Sequence, residues 1–243
     1  NYFFRIVFFI QIMAIFTKKR IMRAKRIINF LEDISVNNNR EWFMEHKDEY
    51  DIIRKDFEEG ISMAINRLAT FDSSISHINV KDATYRFYRD IRFSPDKSPY
   101  KRHLGAYIAA HGKKSLHGGY YLHIEHGHCM IACGNYYLPT KILNAVRNTI
   151  ITRIEEFRPL VDNASFHKYF PEGFGYEKLK SCPVGFPKDF PYIEYLRAKD
   201  YCCWHYVDDN FFDSDGWLDE FEMVCRTAKP LMDFANDIID DYE

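Results

Sequence analysis

Apolar positions recur at helical spacing near both ends of the chain. Asparagine at 37–39 is a strong helix cap, because its side-chain oxygen accepts an unpaired amide hydrogen of the first turn. A proline at 230 is expected to kink or restart the last helix, since proline lacks an amide hydrogen. The pattern predicts helices over 24–34, 40–58, 62–68, 139–159 and 218–239.

Apolar and polar residues alternate in the middle of the chain, which is typical of strands. His126-Gly127 fits a two-residue hairpin turn, and residues 171–192 read as a structured loop. Strands are predicted over 84–93 and 201–207. Two or three more strands are predicted over 104–110 and 119–134 together. Residues 22–243 are therefore expected to form a single α+β domain, with a mainly antiparallel central sheet between N-terminal and C-terminal helices.

Residues 1–21 differ from the rest of the chain. They hold an apolar run broken by Arg5 and Gln11 and followed by basic residues, which is too short for a membrane span. No small-residue cleavage site follows, as a signal peptide would need. We expect an upstream extension that is not native, with translation starting at Met22. A membrane-anchoring leader and a helix of the folded protein remain alternatives.

Composition and charge exclude two broad classes of protein. With 47% hydrophobic residues among 243, the chain can bury a core and is not intrinsically disordered. The net charge of −2 argues against a general nucleic-acid coat. Four of the 33 basic residues and none of the 35 acidic residues lie in 1–21, so the predicted domain is more acidic still.

Cysteine and histidine usage predicts neither disulfides nor a metal. The six cysteines form no Cys-x-x-Cys pair, so we expect buried free thiols and a cytoplasmic location. A turn at His126-Gly127 would separate His123 and His128 from Cys129 and Cys133, on opposite faces of the hairpin. Such residues cannot share one ion. Neither common glycine-rich nucleotide loop occurs, so no cofactor is expected.

The strongest chemical signal is a basic motif. Residues 81–102 hold seven basic and three acidic side chains. Arginine offers a planar fork of donors that matches phosphate or carboxylate. A candidate anion site therefore comprises Arg86, Arg89, Asp90, Arg92, Lys97, Tyr100 and Lys101. The alternative is an internal salt-bridge network, because eight acids and no bases lie over 200–222.

The spacing Arg86-x-x-Arg89-Asp90-x-Arg92-Phe93, followed by Asp96-Lys97-x-x-Tyr100-Lys101, resembles the bacterial family called domain of unknown function 2461. Further similarity lies in Asn37-Asn38 with Arg40-Glu41-Trp42-Phe43, in 119–122, and in the Pro- and Gly-containing stretch 179–186. The resemblance covers about 27–239. It implies a single bacterial domain and no assigned activity.

Two functions are consistent with the motif. The first is a small-molecule or nucleotide-binding protein, enzymatic or not, that holds a phosphate or carboxylate through the cations. The second is an interaction module that binds nucleic acid or a protein partner. Net acidity disfavours nucleic acid, and strand alternation predicts that three of the four aromatics Tyr85, Phe87, Tyr88 and Phe93 are buried.

Overall fold

The structure is a computed structural model that describes residues 22–242. The predictions for 1–21 lie outside these residues. The described residues include two 3-10 turns, Ser73–Ile75 and Phe211–Asp213. The α-helices of the described chain are Ala24–Val36 (α1), Arg40–Glu45 (α2), Lys47–Leu68 (α3), Val80–Ala83 (α4), Thr140–Thr152 (α5), Ile154–Val161 (α6), Ala164–Tyr169 (α7), Ile193–Arg197 (α8) and Trp217–Ile239 (α9).

Over residues 22–242, four strands form one antiparallel sheet in the order β1-β2-β3-β4. Leu122 pairs with Ile131 and Tyr120 with Cys133 across the predicted hairpin. Gly127 has φ +68°, which residues with a Cβ rarely adopt, and it closes the turn as expected. The strands are His103–Ile108 (β1), Gly119–Glu125 (β2), Cys129–Asn135 (β3) and Tyr201–Val207 (β4).

Helices cover one face of the sheet. Helix α9 packs on β3 and β4, and α1 packs on β2. Because alternate strand residues point to opposite faces, Leu122 and Ile131 face the helices and are fully buried. Cys129 and Cys133 lie on the same face, as predicted. The α+β class with an antiparallel sheet is confirmed.

Several helix boundaries differ from the prediction. The helix expected over 40–58 is interrupted at His46, whose amide and imidazole both bond to the Trp42 carbonyl. Helix α3 then continues to Leu68, so it includes the separately predicted segment 62–68. The helix predicted over 139–159 breaks at Arg153 and ends at Val161.

Proline is tolerated inside two helices. Helix α9 continues through Pro230, so the predicted restart there is wrong. Pro230 is exposed, and the carbonyl four residues earlier can bond to water instead of to an amide. Pro159 likewise lies within α6 rather than at its end, also on an exposed position.

The predictions about the cysteines and about membrane spans can also be compared with residues 22–242. All six cysteines are free, and five of them are buried, as expected. Between residues 22 and 242, no helix combines the length and the apolarity needed to cross a bilayer.

Candidate functional site

The segment that carries the arginine motif is not a strand. It touches β1 through the single bridge Thr84–Ala106 and then folds back on itself through the bridge Tyr88–Tyr100. The strand predicted over 84–93 is therefore wrong. Pro95 and Pro99 cannot donate to a ladder, and the remaining amides bond within the loop. Of the four aromatics, only Phe87 is buried, while Tyr85, Tyr88 and Phe93 are exposed.

Two of the motif arginines are paired within the motif itself. Arg89 contacts the Asp96 carboxylate and also donates to the Ser98 carbonyl at 3.0 Å. Hydrogen bonds from Ser98 and then from Arg89 lower the pKa of Asp96 to about 2. Arg92 donates to both oxygens of Asp90, at 2.9 and 2.7 Å. The predicted internal salt bridges therefore exist for these two arginines, but their carboxylate partners belong to the motif itself.

The acids over 200–222 have other partners. Asp219 and Glu222 both contact Arg67 of α3, at 2.7 and 2.8 Å. Asp209 lies 3.0 Å from the imidazole of His126. The prediction that this acidic stretch neutralises the motif is not what the structure shows.

The remaining predicted site residues do not converge on one point. Lys97 donates to the Ile91 carbonyl at 3.0 Å, and Arg86 is exposed. Tyr100 is buried and stacks on Phe43, with 4.1 Å between ring centres. Lys101 alone among the predicted residues lines a cleft on the open face of the sheet.

An asparagine of the second similar stretch anchors the motif. The Asn38 side chain donates to the Tyr100 carbonyl and accepts from the Tyr100 amide, both at 3.0 Å. Its neighbour Asn39 caps α2 by accepting from the Trp42 amide, as predicted for this asparagine run. Asn38 therefore fixes the backbone immediately before Lys101.

The cleft covers the sheet face that the helices leave open, and its volume is about 630 Å³. Small residues such as Ala132 and Gly134 form part of its floor. Its apolar walls and polar groups come from all four strands and from four loops. The aromatic and basic lining residues are Tyr85, Tyr107, Tyr121, Tyr136, Tyr137, Tyr176, Trp204, Tyr206, Lys101, Lys113, Lys114, His103, His117, His123 and His128.

Two lysines meet over one aromatic ring at the cleft wall. The ammonium nitrogens of Lys101 and Lys113 lie 5.2 and 5.4 Å from the centre of the Tyr85 ring. Burial, followed by the nearby charges of Arg86 and Lys113, lowers the pKa of Lys101. Across the described residues, neither ammonium has a carboxylate within ion-pair distance, and Lys113 donates to the Thr84 carbonyl at 2.6 Å.

A second group of side chains lies at the same sheet face. His103, His123 and Glu125 place one ligand-type atom each within 4.8 Å of one another. His103 and His123 line the cleft, and His103 belongs to a different strand from the other two. By contrast, Cys203 and His205 face the helices. Burial raises the pKa of the Cys203 thiol, which disfavours a cysteine nucleophile.

Residues 26–234 match the sequence profile of a family described as "Conserved hypothetical protein (DUF2461)". The chain belongs to this family. The match includes the motif, the cleft and the histidine–glutamate group of the DUF2461 chain. No curated protein and no solved structure matches it.

Sequence reasoning found one cleft residue of the DUF2461 chain and missed the others. Lys113 and His103 lie outside the motif, and neither falls in a recognisable pattern. A usable signal existed in the alternation of β2, which puts Tyr121, His123 and Glu125 on the face opposite Leu122. Their partners on β1 and β4 became identifiable only once the sheet register was known.

Proposed function

We propose that this protein binds a small anionic molecule in the open-face cleft, with a phosphate or carboxylate group held by Lys101 and Lys113. The observation that carries the proposal is that these two lysines meet over Tyr85, with no carboxylate of residues 22–242 within ion-pair distance. A cleft of about 630 Å³ falls in the range of small-molecule sites.

Electrostatics supports an anion at this wall. Lys101 lies partly buried among like charges, which makes its charged form less favourable. A bound phosphate or carboxylate would offset the repulsion between Lys101, Lys113 and Arg86. Each ammonium could then donate a charge-assisted hydrogen bond to the ligand.

The rest of the cleft suits a flat ring. Tyr176 and Trp204 pack edge to face, with 5.3 Å between ring centres. Tyr136 and Tyr137 expose 68% and 73% of their surface, so much of their ring area is free for contact. The ligand class we infer is an aromatic or nucleobase group joined to a phosphate or carboxylate.

Most of the motif would then act in support of Lys101. The pairs Arg89–Asp96 and Arg92–Asp90 brace the loop, and Tyr100 packs into the core. Arg86 would contribute long-range positive charge. The unpaired state of all six cysteines supports the expected cytoplasmic location.

Isothermal titration calorimetry of the full chain tests the proposal, at low salt and with EDTA present. The probes are adenosine 5′-monophosphate, phenyl phosphate, benzoate and uncharged adenosine. We expect at least one anionic probe to bind, and adenosine to bind more weakly than its monophosphate. Lys101→Ala should raise the Kd about 10- to 100-fold, the value of one hydrogen bond to a charged group.

Lys97→Ala is the matched control, because Lys97 belongs to the same motif but does not line the cleft. It should bind like the wild type. Absence of binding with every anion, or an equal loss in Lys97→Ala and Lys101→Ala, would refute the proposal.

A second candidate function rests on the exposed side of the motif. Phe93 is 94% exposed, and the Arg92 guanidinium lies 5.9 Å from its ring centre. Exposed aromatics beside cations favour a nucleic-acid or protein partner. A short single-stranded oligonucleotide tests the nucleic-acid case. Affinity that falls steeply with salt and is lost in Phe93→Ala, but kept in Lys101→Ala, would favour this function.

A further inference from the structure

The strand register brings two histidines and one carboxylate together on the open face of the sheet. His103 on β1 pairs directly with Glu125 on β2, and His123 precedes Glu125 by two residues on the same face. The His123 imidazole contacts Glu125 at 2.9 Å, and the His103 and His123 rings lie 4.5 Å apart. The candidate ligand atoms all fall within 4.8 Å of one another.

These distances fit a single small cation. Zinc binds nitrogen and oxygen ligands at about 2.0–2.2 Å, so two ligands of a tetrahedral ion lie about 3.3 Å apart. His123 Nε2 lies 2.9 Å from Glu125, and all three ligand-type atoms lie within 4.8 Å of one another, which is close to this spacing. Small rotations of the side chains would therefore be enough to bring all three ligand atoms onto one ion.

Hydrogen bonds hold the His123 ring on both sides. Its Nε2 lies 2.9 Å from the Glu125 carboxylate. The other nitrogen of His123 lies 2.9 Å from the Tyr121 hydroxyl. Such an outer hydrogen bond fixes the orientation of a ligating histidine.

Gly105 makes room for this arrangement. A Cβ at residue 105 would lie 2.6 Å from the Tyr121 hydroxyl oxygen and 3.1 Å from its ring. Any larger residue would therefore push away the side chain that orients His123. Gly105 pairs with His123 across the sheet, directly beside the proposed ligands.

We propose that His103, His123 and Glu125 bind a divalent transition-metal ion, with zinc as the reference ion, at the edge of the cleft. Two histidines and one carboxylate form a ligand set used by zinc and by non-haem iron. Because both histidines line the cleft, the open coordination position of the ion would face bound molecules. This proposal goes beyond anion binding and does not depend on it.

Zinc titration of the full chain, after EDTA treatment and removal of the chelator, tests the site. We expect one zinc ion per chain, and cobalt bound in its place should give the visible absorption of a low-symmetry Co²⁺ site. Glu125→Gln keeps the side-chain shape and should weaken zinc binding about tenfold or more, as should His103→Gln. Circular dichroism checks that both variants fold.

His126→Ala is the matched control, since His126 lies on the adjacent turn and is absent from the group. It should bind zinc like the wild type. Lys101→Ala should keep zinc binding while losing the anion, whereas Glu125→Gln should lose zinc while keeping the anion measured in EDTA. No zinc binding by the wild type would overturn the proposal. So would folded Glu125→Gln and His103→Gln variants that bind zinc as tightly as the wild type.

Discussion

Asn38 ties the start of α2 to the arginine motif, and its removal gives a quantitative test of that link. The side chain makes two hydrogen bonds to the backbone of Tyr100, which lies 62 residues away. Asn38→Ala would leave the Tyr100 amide and carbonyl without these partners. Because both groups are partly buried, water can replace the lost bonds only in part.

The expected loss follows from these two bonds. Each is worth about 0.5–1.5 kcal/mol net, so Asn38→Ala should lower the free energy of unfolding by about 1–3 kcal/mol. In a chain of this size, that corresponds to a fall in Tm of about 2–12 °C. Since Tyr100 precedes Lys101, the variant should also weaken binding of the anionic probe.

Asn37→Ala is the matched control. Asn37 is equally half-buried, but within the described part of the chain its side chain donates only to the Asp33 carbonyl at the end of its own helix. Urea unfolding followed by circular dichroism compares the two variants. Equal destabilisation of Asn37→Ala and Asn38→Ala would refute the claim that Asn38 anchors the motif.

Three further predictions concern stability. Arg92→Ala removes an exposed ion pair within the motif and should leave the midpoint of urea unfolding close to that of the wild type. A clear loss of stability would instead assign Arg92 a role in the core. Because the pKa of His103 is lowered to about 4 in the folded chain, the unfolded chain binds the His103 proton more readily. The free energy of unfolding should therefore fall as pH decreases from 6.5 towards about 4. Urea unfolding measured across this pH range should show a flatter slope for His103→Phe than for the wild type. Gly134→Ala should lower the free energy of unfolding by more than the about 1–3 kcal/mol that a positive φ costs a residue with a Cβ, because the new Cβ would also meet the Tyr201 carbonyl. The control is Gly112→Ala, which also has a positive φ but whose Cβ would meet no neighbour. Similar losses for the two variants in thermal unfolding would contradict this reasoning.

Elements with a long, regular apolar stripe could be predicted from the sequence. Helix α9 shows such a stripe, and the β2–β3 hairpin has a glycine where the turn needs positive φ. The segment 84–93 misled because its aromatics alternate with arginines, as in a half-buried strand. A strand also needs a neighbouring strand to accept and donate its backbone hydrogen bonds. The backbone groups of this loop bond mainly to each other instead.

The candidate site was predictable only in part. Lys101 lies in a conspicuous motif, and the chemistry of that motif indicated an anion. Lys113 and Trp204 come from distant parts of the chain and join Lys101 only through the order and register of four strands. The turn at His126-Gly127 indicates how β2 pairs with β3, but local pattern does not indicate how β1 and β4 pair with them. The cleft and the histidine–glutamate group therefore became visible only in three dimensions.

A crystal structure of the full chain with phenyl phosphate would locate the bound anion. We expect the phosphate within hydrogen-bonding distance of Lys101 and Lys113, and the ring against the aromatic walls of the cleft. Phosphate bound instead to Arg86 and Arg92 on the exposed side of the motif, with no ligand in the cleft, would contradict this expectation.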